Sequence, residues 1–399
     1  MATPAALVLT LRRNRKLSMT IFFPSAARPR GTRLTDCVVA IGIAVTLVTS
    51  AAASTVDDWL AGDRATGTWG GTRTMLEDRG LHIEVNETGE VFTRDTDAAG
   101  YRSNLDLLLQ LDTERAHLWN GGTVLVYGQD GHGDGVSAAH DFAMPVSNYE
   151  GPSFTQLSEF WLYQQLPLGI AMRLGKQDAN RDFAAPRFGG NFVNSSFGVL
   201  PTCPLPSYPA PALGAALFVP LAKWLDLRGG AYEGDPRVES FGAHAFNGSV
   251  FAIGALNVAA RQDGSHDAIV QLGGWHHSDS DRNGAFAIAD LLVPLPPGGE
   301  HDHRSVQMFA RANWEPDAEA PDAKLYVGGG VTAHGFIGGN NTLGVGGGYV
   351  SVNDAHQGFV ELFFKWRPLV WFTVEPDLQL YYLGDNPYVI GGLRCKLKL

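Results

Sequence analysis

Apolar and polar residues alternate along much of this chain. In residues 104–112, NLDLLLQLD, leucines occupy every second position, and most of the intervening residues are Asp, Asn or Gln. Residues 360–366, VELFFKW, and residues 377–382, DLQLYY, follow the same period. A period of two is that of a β-strand, whose successive side chains point to opposite faces. The pattern therefore predicts an all-β protein.

The contrast between the two faces separates a membrane barrel from a soluble β-sandwich, which also alternates. One face is almost entirely Leu, Val, Phe or Trp and the other is ionic, as expected for strands with lipid on one side and water on the other. Tryptophans also cluster at predicted turns, where an amphipathic ring suits a membrane interface: Trp119, Trp314, Trp366 and Trp371. We therefore predict a transmembrane antiparallel β-barrel.

The spacing of the predicted strands sets the size of the barrel. Long polar connections are predicted at residues 128–151, 179–213 and 279–305, and a short turn at residues 367–369. Strands and connections of about 10 residues each give about sixteen strands. A barrel of that width encloses an aqueous channel rather than a filled interior.

The last residues, 391–399, read GGLRCKLKL and place Arg394, Lys396 and Lys398 on one face of a strand. The opposite face carries only Leu and Cys, so this strand is predicted to close the barrel with its cations toward the lumen. Pairing with the first strand removes a sheet edge that lipid cannot satisfy.

The N-terminal region carries a predicted export signal. Basic residues precede an uncharged apolar run at residues 37–48, and small residues follow up to Ala53. This order predicts a signal peptide over residues 1–53, with a membrane anchor as the alternative and Met19 as an alternative start. Residues 54–85 are then a short N-terminal periplasmic segment leading into the first strand, and residues 86–399 are the barrel.

Composition argues against several other classes of function. The formal net charge of −11 makes nucleic acid an improbable partner. Residues 130–135, DGHGDG, superficially match a calcium loop, but the twelfth position is Asp141 and no helices flank it, so we predict an external loop. Cys203 and Cys395 show no disulfide or metal spacing. We predict no cofactor, no metal and no enzymatic activity.

Three segments resemble the carbohydrate-selective outer-membrane porins of the OprB type. They are residues 66–85, TGTWGGTRTMLEDRGLHIEV, residues 173–198, RLGKQDANRDFAAPRFGGNFVNSSFG, and residues 375–382 together with the terminal GGLR. The resemblance implies a sixteen-stranded barrel in the cell outer membrane, surrounded by outer-membrane lipid and inserted by the barrel-assembly machinery. It also implies that small neutral carbohydrates pass through passively.

A wall that passes sugars needs donors and acceptors for hydroxyls and aromatic faces for the C–H surfaces of the ring. Alternation predicts that most of the candidate residues face the lumen, and Lys176 and Asp178 are predicted near the mouth or constriction. The candidates are Glu159, Trp161, Arg173, Lys176, Asp178, Glu361, Lys365 and Arg394. Two alternatives stay open, a nonselective diffusion pore and a barrel that anchors an enzyme or adhesin. A homo-oligomer is also an open alternative.

Overall fold

The computed structural model describes residues 56–94, 98–137, 142–242, 248–262, 265–295, 304–316, 318, 323–352, 355–384 and 386–399. The predicted signal peptide, residues 1–53, lies outside the described residues. So does Asp141, the twelfth position of the rejected calcium loop.

The described residues form sixteen strands: β1 (Leu81–Arg94), β2 (Ala98–Asp112), β3 (Gly122–Asp134), β4 (Phe154–Gln165), β5 (Ala171–Gln177), β6 (Ala212–Ala222), β7 (Leu225–Glu233), β8 (Val250–Gln262), β9 (Ser265–His277), β10 (Arg282–Pro294), β11 (Ser305–Trp314), β12 (Leu325–His334), β13 (Thr342–Val352), β14 (Ala355–Leu369), β15 (Phe372–Leu383) and β16 (Asn386–Lys398). Short α-helices precede the barrel and interrupt one loop: α1 (Val56–Leu60), α2 (Thr72–Asp78), α3 (Asn180–Phe183) and α4 (Ser195–Gly198). Single 3₁₀ turns lie at Pro167–Gly169 and Gly189–Asn191.

Each strand pairs antiparallel with its neighbours in sequence, and β1 pairs with β16, so the sheet is a closed barrel. This confirms the predicted antiparallel barrel of about sixteen strands. We call the end where β1 begins and β16 ends the terminal rim, and the opposite end the loop rim. Of the helices in the described part of the chain, none is long and apolar enough to cross a membrane.

The alternation in sequence becomes an inside and an outside in the wall. On β14, Val360 and Leu362 are exposed on the outer face, whereas Glu361 and Phe363 are buried inside the barrel. An outward apolar face against lipid and an inward polar face are what a membrane barrel requires.

The segment before β1 packs on the seam between the first and last strands. The Ala65 amide donates to the carbonyl of Lys398 at 2.8 Å, and the Arg73 guanidinium donates to the Leu399 carbonyl at 3.0 Å. Strand β1 starts at Leu81, within the segment 54–85 predicted to lead into the barrel. The N-terminal segment therefore links the start of β1 to the end of β16 at the terminal rim.

The tryptophans divide into two groups. Trp119, Trp314 and Trp366 are exposed, as predicted for an interface girdle. Trp371 is not, because its ring packs against Trp59 of α1 with the ring centres 4.7 Å apart, and only 7% of Trp371 is exposed. This residue serves the packing of the N-terminal segment.

Three predicted connections are corrected by the structure. The connection predicted at residues 128–151 and the external loop predicted at residues 130–135 both begin inside β3, which runs to Asp134. The long connection predicted at residues 279–305 contains strand β10, whose segment AFAIADLLV is apolar on both faces except at Asp290 and so lacks the alternation of the other strands. The turn predicted at residues 367–369 is the end of β14, and the strands instead turn at residues 370–371. Pro368 is tolerated there because the register shifts between Trp366 and Leu369, and a proline fits a bulge that makes no regular ladder bond.

Two long loops of the loop rim fold into the barrel: residues 178–211, and the described part of residues 135–153, namely 135–137 and 142–153. Phe192 of the second loop packs against Phe309 and Phe363 of the wall, with ring centres 5.5 and 4.9 Å apart. A Cβ at Gly346 of β13 would lie 2.7 Å from the Phe192 ring, so only glycine leaves room for it. The hydrophobic core therefore lies inside the barrel, between these loops and the wall.

Candidate functional site

Six of the eight predicted lumen residues face the interior of the barrel in the described structure. They fall into two groups on separate parts of the wall, one on β4 and β5 and one on β14 and β16: Glu159, Trp161 and Arg173; Glu361, Lys365 and Arg394. Asp178 lies just beyond the end of β5, and Lys176 points elsewhere.

The first group, which we call the Glu159 cluster, comprises Glu159, Trp161, Arg173, Arg181 and Asp182. The buried Glu159 carboxylate accepts from the Trp161 indole at 3.0 Å and from Arg181 at 2.7 Å. Arg173 lies 5.1 Å from the centre of the Trp161 ring and forms an ion pair with Asp182. Because the Arg181 side chain remains 45% exposed, the cluster presents a cation and an aromatic ring to the lumen.

Asp178 joins this cluster from the loop that follows β5. Its backbone N–H donates to Glu159 Oε2 at 3.2 Å, and the Asn180 amide donates to Asp178 Oδ1 at 2.8 Å. Burial and the neighbouring Glu159 carboxylate raise the pKa of Asp178 to about 6. Asp178 therefore changes from charged to neutral as the pH falls through about 6.

Lys176 departs from the predicted lumen position. It pairs across the sheet with Phe160, whose neighbours Glu159 and Trp161 face inward, so Lys176 shares the outer face. Its ammonium donates to the carbonyl oxygens of Leu157 and of Ser240. Arg173 and Lys176 are three residues apart on one strand, and an odd spacing places them on opposite faces.

The second group, which we call the Glu361 cluster, holds the loop 178–211 against the wall. Both carboxylate oxygens of Glu361 accept from backbone N–H groups of that loop, from Val193 at 2.7 Å and from Asn194 at 2.9 Å. Lys365 donates to the carbonyl of Asn191. These side chains therefore fix the position of the loop in the interior.

Arg394 performs the same task for the loop 135–153. It pairs with Glu90 across the seam at 2.7 Å and donates to Ser147 Oγ and Asn148 Oδ1, each at 2.8 Å. Its guanidinium also lies 4.9 Å from the centre of the Tyr149 ring. The predicted closing strand thus anchors a second internal loop.

Further anchors of the loop 178–211 were not predicted. Asp290 of β10 accepts from the amides of Arg187 and Phe188, at 3.1 and 3.3 Å. Arg311 of β11 donates to the carbonyl oxygens of Ser196 and Ala184. Alternation marks both wall residues as inward facing, but nothing periodic in the loop indicates which of its amides or carbonyls they meet.

The arrangement narrows the channel. Two loops are held inside a closed barrel by charged side chains, and the Glu159 cluster lies beside the loop 178–211. In the part of the chain that the structure describes, no group of three His, Cys, Asp or Glu side chains is placed to hold a metal ion. The geometry is that of a constricted aqueous pore.

Comparison with known proteins gives a family and a fold. The family described as carbohydrate-selective porin, OprB family, matches residues 96–283 and 242–397. The high-pH structure of Pseudomonas putida OprB is 17% identical, with a TM-score of 0.74 over 85% of this chain and 99% of that one. The low-pH structure of the same protein has the same identity and coverage and a TM-score of 0.61. No protein with a curated description matches the sequence.

Proposed function

Because this chain belongs to the carbohydrate-selective porin family, OprB, we propose that its barrel lies in the outer membrane and lets small neutral sugars diffuse passively through its lumen. The observation that supports this most directly is a closed sixteen-stranded barrel whose lumen is narrowed by two loops, each hydrogen-bonded to the wall. In this arrangement the terminal rim faces the periplasm, and residues 1–53 are removed as the signal peptide during export.

The Glu159 cluster suits a neutral, hydroxyl-rich solute. A half-buried Trp161 ring offers a face for sugar C–H groups, and the partly exposed Arg181 guanidinium offers donors for hydroxyl oxygens. Neighbouring charges of both signs leave little net attraction for a simple ion. Binding in such a channel must be weak enough for the solute to leave, so a few scattered contacts serve better than a closed pocket.

The test is liposome swelling with the refolded mature protein. Glucose and a disaccharide are compared with neutral non-sugar solutes and charged solutes of matched size. Faster entry of the sugars supports sugar preference. Equal entry at equal size reduces the function to general diffusion, and no swelling favours a barrel that anchors an enzyme or adhesin.

The lumen assignment has its own test on β4. In a background with Cys203 and Cys395 replaced by Ser, Trp161→Cys is compared with Leu162→Cys, its neighbour on the outer face. A water-soluble thiol reagent is expected to modify the first variant and reduce sugar entry, and to leave the second unmodified in the membrane. The opposite pattern overturns the assignment.

A further inference from the structure

A carboxylate inside the barrel is held by three donors that all bind the same oxygen atom. Asp106 Oδ1 accepts from Asn104 Nδ2 at 2.7 Å, from the Tyr127 hydroxyl at 2.6 Å and from Gln129 Nε2 at 3.0 Å. These residues lie on β2 and β3 and share the inner face of the wall. The hydrogen bonds within the described protein thus fall on Oδ1 and leave Oδ2 for a ligand.

The donors are themselves held in place. Asn104 is fully buried, and Gln129 is 7% exposed. Gln129 accepts from Ser158 Oγ at 2.6 Å and donates to the Tyr127 hydroxyl at 2.8 Å. Asp106 remains partly exposed among these buried partners. A ligand that binds Oδ2 therefore meets an acceptor whose orientation is already fixed, which lowers the entropic cost of binding.

A cation and an aromatic ring lie near this carboxylate. Lys396 of β16 faces the same interior, since it pairs with Thr88 of β1, which in turn pairs with Asn104. The Lys396 ammonium lies 5.9 Å from the centre of the Tyr149 ring, which belongs to the loop 135–153. This side of the lumen therefore offers an acceptor, a donor and an apolar face together.

The chemistry of these groups selects a class of ligand. Sugar hydroxyls donate to a carboxylate and accept from an ammonium, and the C–H face of the ring packs on an aromatic side chain. The Asp106 carboxylate disfavours anions, and the neighbouring Lys396 disfavours cations. A neutral ligand with adjacent hydroxyls fits both.

We propose that Asp106 is the anchor of a discrete sugar-binding subsite in the channel wall, at which Oδ2 accepts hydrogen bonds from the vicinal hydroxyls of a neutral sugar. This rests on the proposed function and adds to it that sugar transport saturates at a defined point. The subsite lies on strands β2, β3 and β16, and of its residues the sequence predicted only Lys396 to face the lumen.

The test is the block of single-channel ion current by D-glucose in planar bilayers. A hydrogen bond to a charged group is strong enough that Asp106→Asn should raise the half-blocking glucose concentration about tenfold. Asp226→Asn is the matched control, because Asp226 is another lumen carboxylate, held by Arg228 and Asn257 at the terminal end of β7. It is expected to change the half-blocking concentration by less than about twofold.

Heat-modifiable gel mobility establishes that each variant folds. Should Asp106→Asn fail to fold, Tyr127→Phe removes one donor from Oδ1 and is expected to raise the half-blocking concentration about threefold. Unchanged block in the folded Asp106 variant, or an equal loss in the Asp226 control, overturns the subsite while sugar permeation leaves the proposed function standing. A wild-type channel that glucose neither blocks nor crosses overturns the proposed function itself.

Discussion

Removal of the Glu361 carboxylate should release the loop 178–211 from the wall. Glu361 is fully buried and accepts from two backbone N–H groups, at 2.7 and 2.9 Å. Removing the carboxylate leaves both buried N–H groups without a partner at about 1–3 kcal/mol each, which weakens the attachment of the loop by roughly 3 kcal/mol in total. Since about 1.4 kcal/mol is a factor of ten, the Glu361→Ala change should raise the population of released loop roughly a hundredfold.

The assay is single-channel recording combined with limited proteolysis of the folded protein in bilayers or micelles. A released loop changes the width of the lumen, so the variant is expected to show larger current noise and a second, higher conductance level. The freed segment around Val193 should also be cut faster by protease than in the wild type. Glu361→Gln keeps one acceptor oxygen, so its current noise and its rate of cutting by protease should lie between those of the wild type and of Glu361→Ala.

The matched control is Glu84→Gln on β1, a partly exposed inward carboxylate whose side chain binds Asn86 and not the loop. It should keep the wild-type noise and protease resistance. Wild-type noise and protease resistance in Glu361→Ala would refute the conclusion that Glu361 holds the loop 178–211 against the wall. The aromatic packing of Phe192 would then be sufficient to hold the loop by itself.

Three further outcomes follow from the described contacts. Asp178 has a pKa of about 6 and is ionised above that pH. The cation preference of the channel, measured by reversal potential in a salt gradient, should therefore fall as the pH drops through about 6. The Asp178→Asn change should abolish this fall. Gly346→Ala forces Phe192 to move and should lower stability in heat-modifiability scans by about 1–3 kcal/mol, whereas Gly89→Ala, which meets open space, should not. Arg73→Ala removes the hydrogen bond to the C-terminal carbonyl and should lower the urea midpoint of unfolding, whereas an unchanged midpoint would mean that the N-terminal segment is not needed to stabilise the seam.

Alternation predicted the wall because the physical constraint on it is periodic. Lipid on one side and water on the other force a change of polarity at every residue, so Glu361 and Lys365 were assigned to the correct face without any structure. The same rule, followed strictly, places Lys176 on the face opposite Arg173. Strand β10 escaped prediction because its flanks are polar and the whole of residues 279–305 was taken as one connection.

The positions of the loops could not be predicted in the same way. Val193 and Asn194 meet a carboxylate 168 and 167 residues away in sequence, through backbone N–H groups that carry no residue-specific signal. The arrangement around Asp106 could be predicted only in part. Its inward position is periodic, but the convergence of three donors on one oxygen depends on the register between β2 and β3.

The pairing of β1 with β16 affects how long the closed barrel lasts more than how fast the barrel forms. All other strand pairings join sequence neighbours, so they form by growth of a sheet, whereas Glu90 and Arg394 are 304 positions apart. Bringing these two positions together in an unpaired chain would cost about 5 kcal/mol of chain entropy, so the seam is expected to form last, after growth of the sheet has brought its two edges together. An interaction that forms only at the end hardly changes the rate of assembly and slows reopening instead. The Glu90–Arg394 ion pair should therefore lengthen the lifetime of the closed barrel without hastening its insertion.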